Sequence, residues 1–249
     1  MPTVVLSSGF LAFARHIGVA RACQRAGLTP RRLSGVSSGA LIGAMWAAGA
    51  SPEDMLGLVT ESAPLRSLRP RFFFGRGGPG LFSLDALVER LARRLPARIE
   101  DLPVPFSVGV VRREGATCHL VERGPLPEAI AASCAMPWIF GPRFVDDHAC
   151  VDGGARDRLF LRPLLERHPS AQTLVHLVAS SAPGREARGA VVAEQLAWAE
   201  SRTALRVVHT PRSGASFFSL GDVAAAVALA ERRTLEALES AVSGRDARA

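Results

Sequence analysis

Leu33-Ser34-Gly35-Val36-Ser37-Ser38-Gly39-Ala40-Leu41-Ile42-Gly43-Ala44 is the stretch that decides the fold. Residues 33–36 form a short apolar strand, and the small-residue run 38–48 that follows at once reads as a buried helix closed by Gly49. At the junction stands Gly35-Val36-Ser37-Ser38-Gly39, a G-x-S-x-G. A strand turning sharply into a helix lifts the Ser37 hydroxyl out of the sheet, and Gly35 and Gly39 leave room for neighbouring backbone. A hydroxyl at a helix N-terminus is also where developing negative charge is favoured. Gly and Ser are common in turns, so the strand–helix setting is what marks Ser37 as a nucleophile rather than a plain turn residue.

Working outward, Thr3–Leu6 reads as a buried strand and residues 14–26 as a helix ending at Gly27. Ser51-Pro52-Glu53-Asp54 restarts a helix, with Ser51 as N-cap, Pro52 at the first position and Asp54 as the reciprocal acid. This β-α-β-α opening predicts an α/β fold of three α/β/α layers with a mainly parallel central sheet. Further along come a helix over 84–95, strands over 106–111 and 117–121, a helix over 127–133, and a strand–turn unit around 149–154. The chain then alternates strand 173–179, helix 191–201, strand 206–208 and helix 220–241, with 243–249 expected to fray. Residues 62–82 differ: Arg66, Arg69, Arg71, Arg76 and Phe72-Phe73-Phe74 make a basic, aromatic loop. It is either a surface loop or a lid facing an apolar cleft or lipid headgroups. No repeat, linker or low-complexity run interrupts residues 1–249, so one domain is expected.

Composition narrows the chemistry. With 249 residues, 48% hydrophobic and 21% charged, the chain buries a sizeable core. All 30 cationic side chains are Arg, which excludes Lys Schiff-base and P-loop Lys chemistry. The net charge of +7 favours anionic partners, including the phosphates of a membrane surface. The arginines are scattered and not interleaved with aromatics, so nucleic acid is not the expected partner. Cys23, Cys118, Cys134 and Cys150 form no C-x-x-C pair, consistent with a reduced, cytoplasmic chain. The longest apolar stretch, residues 40–50, falls well short of the roughly 20 residues needed to span a bilayer.

A serine nucleophile needs a base. An α/β-hydrolase would supply His, but that fold lays down several strands before its nucleophile, and here one precedes it. His119, His168 and His176 sit in a strand, a turn and a strand; His16, His148 and His209 remain open as partners. Val151-Asp152-Gly153-Gly154 places a carboxylate at the end of an apolar strand, the other candidate, against a plain Asp-Gly turn. Asp146-Asp147-His148 is read as a solvated turn, and no metal or cofactor is expected.

Several of these pieces together resemble the patatin-like phospholipases, acyl hydrolases with a Ser–Asp dyad. They are His16-Ile17-Gly18-Val19, the 35–44 elbow, Gly80-Leu81-Phe82, Glu100-Asp101-Leu102-Pro103-Val104-Pro105, Ala132-Ser133-Cys134-Ala135-Met136-Pro137 and 151–154. The resemblance implies Ser37 as nucleophile and Asp152 as its base, acting on a lipid or other ester substrate. It also implies an oxyanion hole of backbone N–H groups from the first turn, at Gly9 and Phe10. The chain departs from the family there: Ser8-Gly9-Phe10-Leu11-Ala12-Phe13 stands where the family has G-G-G-x-R-G, with Ala12 in place of the arginine. Phe13, Met136 and Trp138 are expected to line an acyl pocket, Trp138 narrowing it. Two other readings stand beside hydrolysis: a catalytically silent lipid-binding or scaffold protein, and an acyltransferase passing the acyl group to an alcohol. Oligomeric state is left open.

Overall fold

The computed structural model describes residues 1–60, 69–71, 78–179, 185–212, 214–216 and 219–246. The chain begins β1 (Thr3–Leu6), α1 (Phe13–Arg25), β2 (Arg32–Val36), α2 (Ser38–Ala47) and α3 (Pro52–Thr60). The caps follow sequence chemistry. Gly27, at φ 62, closes α1 with a Leu28 N–H to Cys23 C=O bond of 2.8 Å, and α3 starts at the reciprocal Ser51–Asp54 bonds. Next come β3 (Arg69–Pro70), β4 (Gly80–Ser83), α4 (Asp85–Ala92), β5 (Phe106–Arg112), β6 (Thr117–Val121) and α5 (Leu126–Ser133). They are followed by β7 (Trp138–Phe140), β8 (Arg143–Val145), β9 (His148–Asp152), α6 (Leu161–Arg167), β10 (Gln172–Val178), α7 (Arg185–Glu200), β11 (Ala204–Thr210) and α8 (Val223–Asp246).

The main sheet runs β11-β10-β1-β2-β5-β9-β8, with β6 on the other edge of β5. Its β11-to-β5 half is parallel, while β6, β8 and β9 pair antiparallel, so the sheet is mixed. Strand alternation splits the core between the two faces. Val4, Leu6, Leu33 and Leu174 pack with α1, α2, α5 and α8, whereas Val5, Val36 and Val175 pack with α6 and α7. Three layers result, as the opening pattern predicts.

Two details differ from expectation. Residues 69–70 and 80–83, inside the stretch read as irregular, are β3 and β4 of a second, three-stranded sheet completed by β7. The pairings are too short to leave a period-2 signal. Arg66, Arg76 and Phe72–Phe74 of the stretch read as a surface loop or a lid lie outside the described residues. At the other end, α8 continues through Asp246, past the expected fraying point at Ser243-Gly244, whose low helix propensity the rest of the helix overrides.

Candidate active site

The site is made by strand pairing. Gly109 of β5 is opposite Val36 of β2 and Leu120 of β6, and Val110 is opposite Asp152 of β9 and His119 of β6. Since β6 occupies one edge of β5, β2 and β9 share the other. They run toward each other along it, and their last residues meet at adjacent positions. Ser37 follows Val36, so the elbow and the acid are delivered to one point.

The elbow is tight. Ser37 sits at φ 55 and ψ −120, a left-handed conformation that a non-glycine residue adopts at a cost of order 1–3 kcal/mol. Both glycines are required by contact: a Cβ on Gly35 would lie 2.2 Å from the Gly39 carbonyl oxygen, and one on Gly39 would lie 2.3 Å from that of Leu6. The Ser37 N–H donates to Ser133 Oγ at 2.8 Å, and the Ser133 hydroxyl donates to the Gly109 carbonyl at 2.7 Å. Ser133 therefore ties the elbow to β5. Reading the sequence assigned it no role.

Ser37 Oγ donates to Asp152 Oδ2 at 2.7 Å, and the other carboxylate oxygen accepts from the Gly154 N–H at 2.7 Å. The Asp152 N–H in turn donates to the Ala135 carbonyl at 3.0 Å, so the 133–135 segment holds the backbone at both Ser37 and Asp152. Burial pushes the Asp152 carboxyl up from 3.8 to about 6; the hydrogen bonds from Ser37 and Gly154 pull the other way but are smaller. An acid of this strength is still mostly ionised at neutral pH and accepts a proton more readily than an exposed carboxylate.

Ser37 opens onto a cavity of about 160 Å³. Phe10, Phe13, Leu41, Leu58, Met136 and Phe140 are part of its apolar wall, with Gly9, Ser37 and Ser38 at its polar side and Arg90 the one charged lining residue among the described residues. Phe13 and Met136, expected in an acyl pocket, are among its lining residues. Trp138, also expected there, is 67% exposed with its backbone at φ 72 and is not among the lining residues.

Residues 4–165 match the patatin-like phospholipase family. The chain belongs to that family. It is 31% identical over 215 residues to an uncharacterized NTE family protein of Mycobacterium bovis and to one of Mycobacterium tuberculosis. The match covers 84% of this chain but only 59% of those relatives' length. The fold is similar to that of VipD from Legionella pneumophila, with a TM-score of 0.60 and 14% identity over 96% of this chain and 67% of that one. It is also similar to a chain in the Pseudomonas aeruginosa complex of full-length SpcU with full-length ExoU. There the TM-score is 0.52 and the identity 16%, covering 96% of this chain and 52% of the other.

Against the patatin-like pattern, the loop after β1 is glycine-poor, yet Leu11 holds a left-handed backbone at φ 47 and both Gly9 and Phe10 line the cavity. None of the three open histidines hydrogen-bonds Ser37. His16 is fully buried behind the elbow, bonded to Ser38 and His176; His148 faces Glu114; His209 lies on β11. Desolvation lowers the His16 pKa to about 3, so it is neutral. Asp146 and Asp147 form a two-residue hairpin turn between paired Val145 and His148, with φ of 48 and 63.

Among the described residues, no helix is long and apolar enough to cross a membrane.

Proposed function

We propose that the protein is a serine acyl hydrolase that cleaves lipid or other carboxylic esters through Ser37 and Asp152. The observation that carries this reading is the 2.7 Å hydrogen bond from Ser37 Oγ to Asp152 Oδ2, made at the wall of an apolar cavity. Ser37 Oγ attacks the ester carbonyl carbon while its proton passes to Asp152 Oδ2. Backbone N–H groups at Gly9 and Phe10 hold the oxyanion of the tetrahedral intermediate. The intermediate collapses, the alcohol leaves with the proton from Asp152, and Ser37 carries the acyl group. Water then attacks, Asp152 takes its proton and returns it to Ser37, and the carboxylic acid departs.

The apolar wall suits an acyl chain, and the excess of arginine suits peripheral contact with an anionic membrane. Fluorophosphonate labelling and p-nitrophenyl butyrate turnover test the proposal. Both are expected in the wild type and absent in Ser37→Ala. A chain that binds lipid vesicles but neither labels nor turns over is the silent scaffold instead.

A further inference from the structure

The two peptide units of the glycine-poor loop that carry the Gly9 and Phe10 N–H groups are each held by a buried side chain from elsewhere in the fold. Arg158 Nη2 donates to the Ser8 carbonyl at 2.8 Å and also to the Val178 carbonyl at the end of β10. Its Nε reaches Ser8 Oγ at 3.4 Å, and its own carbonyl accepts from the Ser8 N–H at 2.9 Å. Ser38, 2% exposed, donates through Oγ to the Gly9 carbonyl at 2.7 Å. A trans peptide is planar, with its C=O and N–H pointing in opposite directions. Holding the Ser8 carbonyl therefore sets the direction of the Gly9 N–H, and holding the Gly9 carbonyl sets that of Phe10.

Ser38 is itself fixed from behind. The Gly9 carbonyl only accepts, so the Ser38 proton goes to it, and Ser38 Oγ is the acceptor for His16 Nε2–H at 3.3 Å. His16 Nδ1 is then an acceptor, which makes His176 Nδ1, 2.8 Å away, the donor. His176 Nε2 accepts in turn from the Thr210 hydroxyl at 2.9 Å. Every bond in the line from Thr210 to Gly9 thus has one direction, and both imidazoles are neutral within the fully buried core.

We propose that Ser38 and Arg158 are positioning residues that aim the Gly9 and Phe10 N–H groups at the oxyanion, doing with side-chain clamps what the family does with glycines and an arginine within the loop. The inference rests on the Ser37–Asp152 reading and adds to it two residues that act through the loop backbone rather than on the reacting atoms.

The test uses the full chain with p-nitrophenyl butyrate and an aliphatic trifluoromethyl ketone, whose adduct with Ser37 carries the oxyanion. Ser38→Ala and Arg158→Gln are expected to lower kcat by about tenfold to a hundredfold, with KM within about twofold. The ketone is expected to bind more weakly by the same factor as kcat/KM falls. Ser38→Thr, which keeps the hydroxyl, is expected to restore both. Circular-dichroism melting identifies a variant that does not fold at the assay temperature; Arg158→Lys and Ser38→Cys, which retain a donor, are then measured in its place. A folded Ser38→Ala with wild-type kcat, or one that loses kcat while ketone affinity holds, overturns the clamp and leaves the hydrolase reading standing. A wild type that neither labels nor turns over overturns the hydrolase reading, and the clamp with it.

Discussion

Val36 and Asp152 each end a strand, and they face adjacent residues of one edge of β5, Gly109 and Val110, from opposite directions. The distance between Ser37 and Asp152 is therefore set by backbone pairing on both sides and has little room to adjust. One methylene added to the acid moves its oxygens by more than 1 Å, a displacement that costs about a hundredfold in rate. Asp152→Glu is accordingly expected to fold, to keep the charge, and to lose about that factor in kcat/KM. Turnover within threefold of wild type would mean the site tolerates movement that strand pairing forbids.

The acidity of Asp152 predicts the pH profile. Only the ionised carboxylate accepts the Ser37 proton, and burial has raised its pKa to about 6. For p-nitrophenyl butyrate, kcat/KM is expected to rise with pH through about 6 and to level above it. The neutral, buried His16 and His176 add no inflection there. An activity already flat from pH 4.5 upward would exclude Asp152 as the base.

The same burial has a consequence for stability with the opposite sign to an ordinary paired carboxylate. The folded-state pKa lies above the unfolded one, so folding favours the protonated form and stability falls as pH rises from about 4 through about 6. The rise from 3.8 to about 6 corresponds to a penalty of about 3 kcal/mol on the ionised group. Asp152→Asn removes that penalty while its amide still accepts from Gly154 and donates to Ser37. Thermal melts should place the variant above wild type at pH 7.5, with the difference closing by pH 4, while its turnover is expected to be lost.

Much of the fold was legible because it is local. Periodicity and caps mark β1 through α3, and the strand–helix elbow places Ser37 where the structure has it. The Val151-Asp152-Gly153-Gly154 signal was legible too, although nothing in the sequence says that β9 runs antiparallel into the end of β2. What escaped is non-local. Ser133 bonds Ser37 across 96 residues and Arg158 bonds Ser8 across 150, and a serine or arginine whose partner is that distant looks in sequence like any other. Trp138, expected in the pocket wall, lies outside the described lining. Side-chain direction in β7 depends on a positive φ at a bulky residue, for which composition gives no cue.

Its true position makes a prediction about chain length. Trp138 lies outside the cavity, so Trp138→Ala is expected to leave the preferred acyl length of p-nitrophenyl esters unchanged. Leu58, 5% exposed on α3, does line the wall, so Leu58→Phe should shorten the longest ester accepted by raising KM for long chains while sparing acetate and butyrate. A shift of the cut-off in Trp138→Ala would place the acyl chain along the β7 surface instead.

Ser133 allows the elbow itself to be tested apart from the dyad. Its hydroxyl, on a fully buried residue, accepts from the Ser37 N–H and donates to the Gly109 carbonyl. Ser133→Ala leaves both backbone groups without that partner, at a cost of about 1–3 kcal/mol for each group left unsatisfied. Because the Ser37 backbone is held at φ 55, releasing its N–H also lets the elbow relax toward a commoner conformation and moves Oγ off Asp152. Denaturant unfolding should register the loss of stability. Activity should fall by more than stability explains, with kcat dropping while Ser133→Thr, which keeps the hydroxyl, recovers part of it. Loss of stability with kcat intact would mean that the strained turn is held by the Gly35–Gly39 contact and the α2 helix alone.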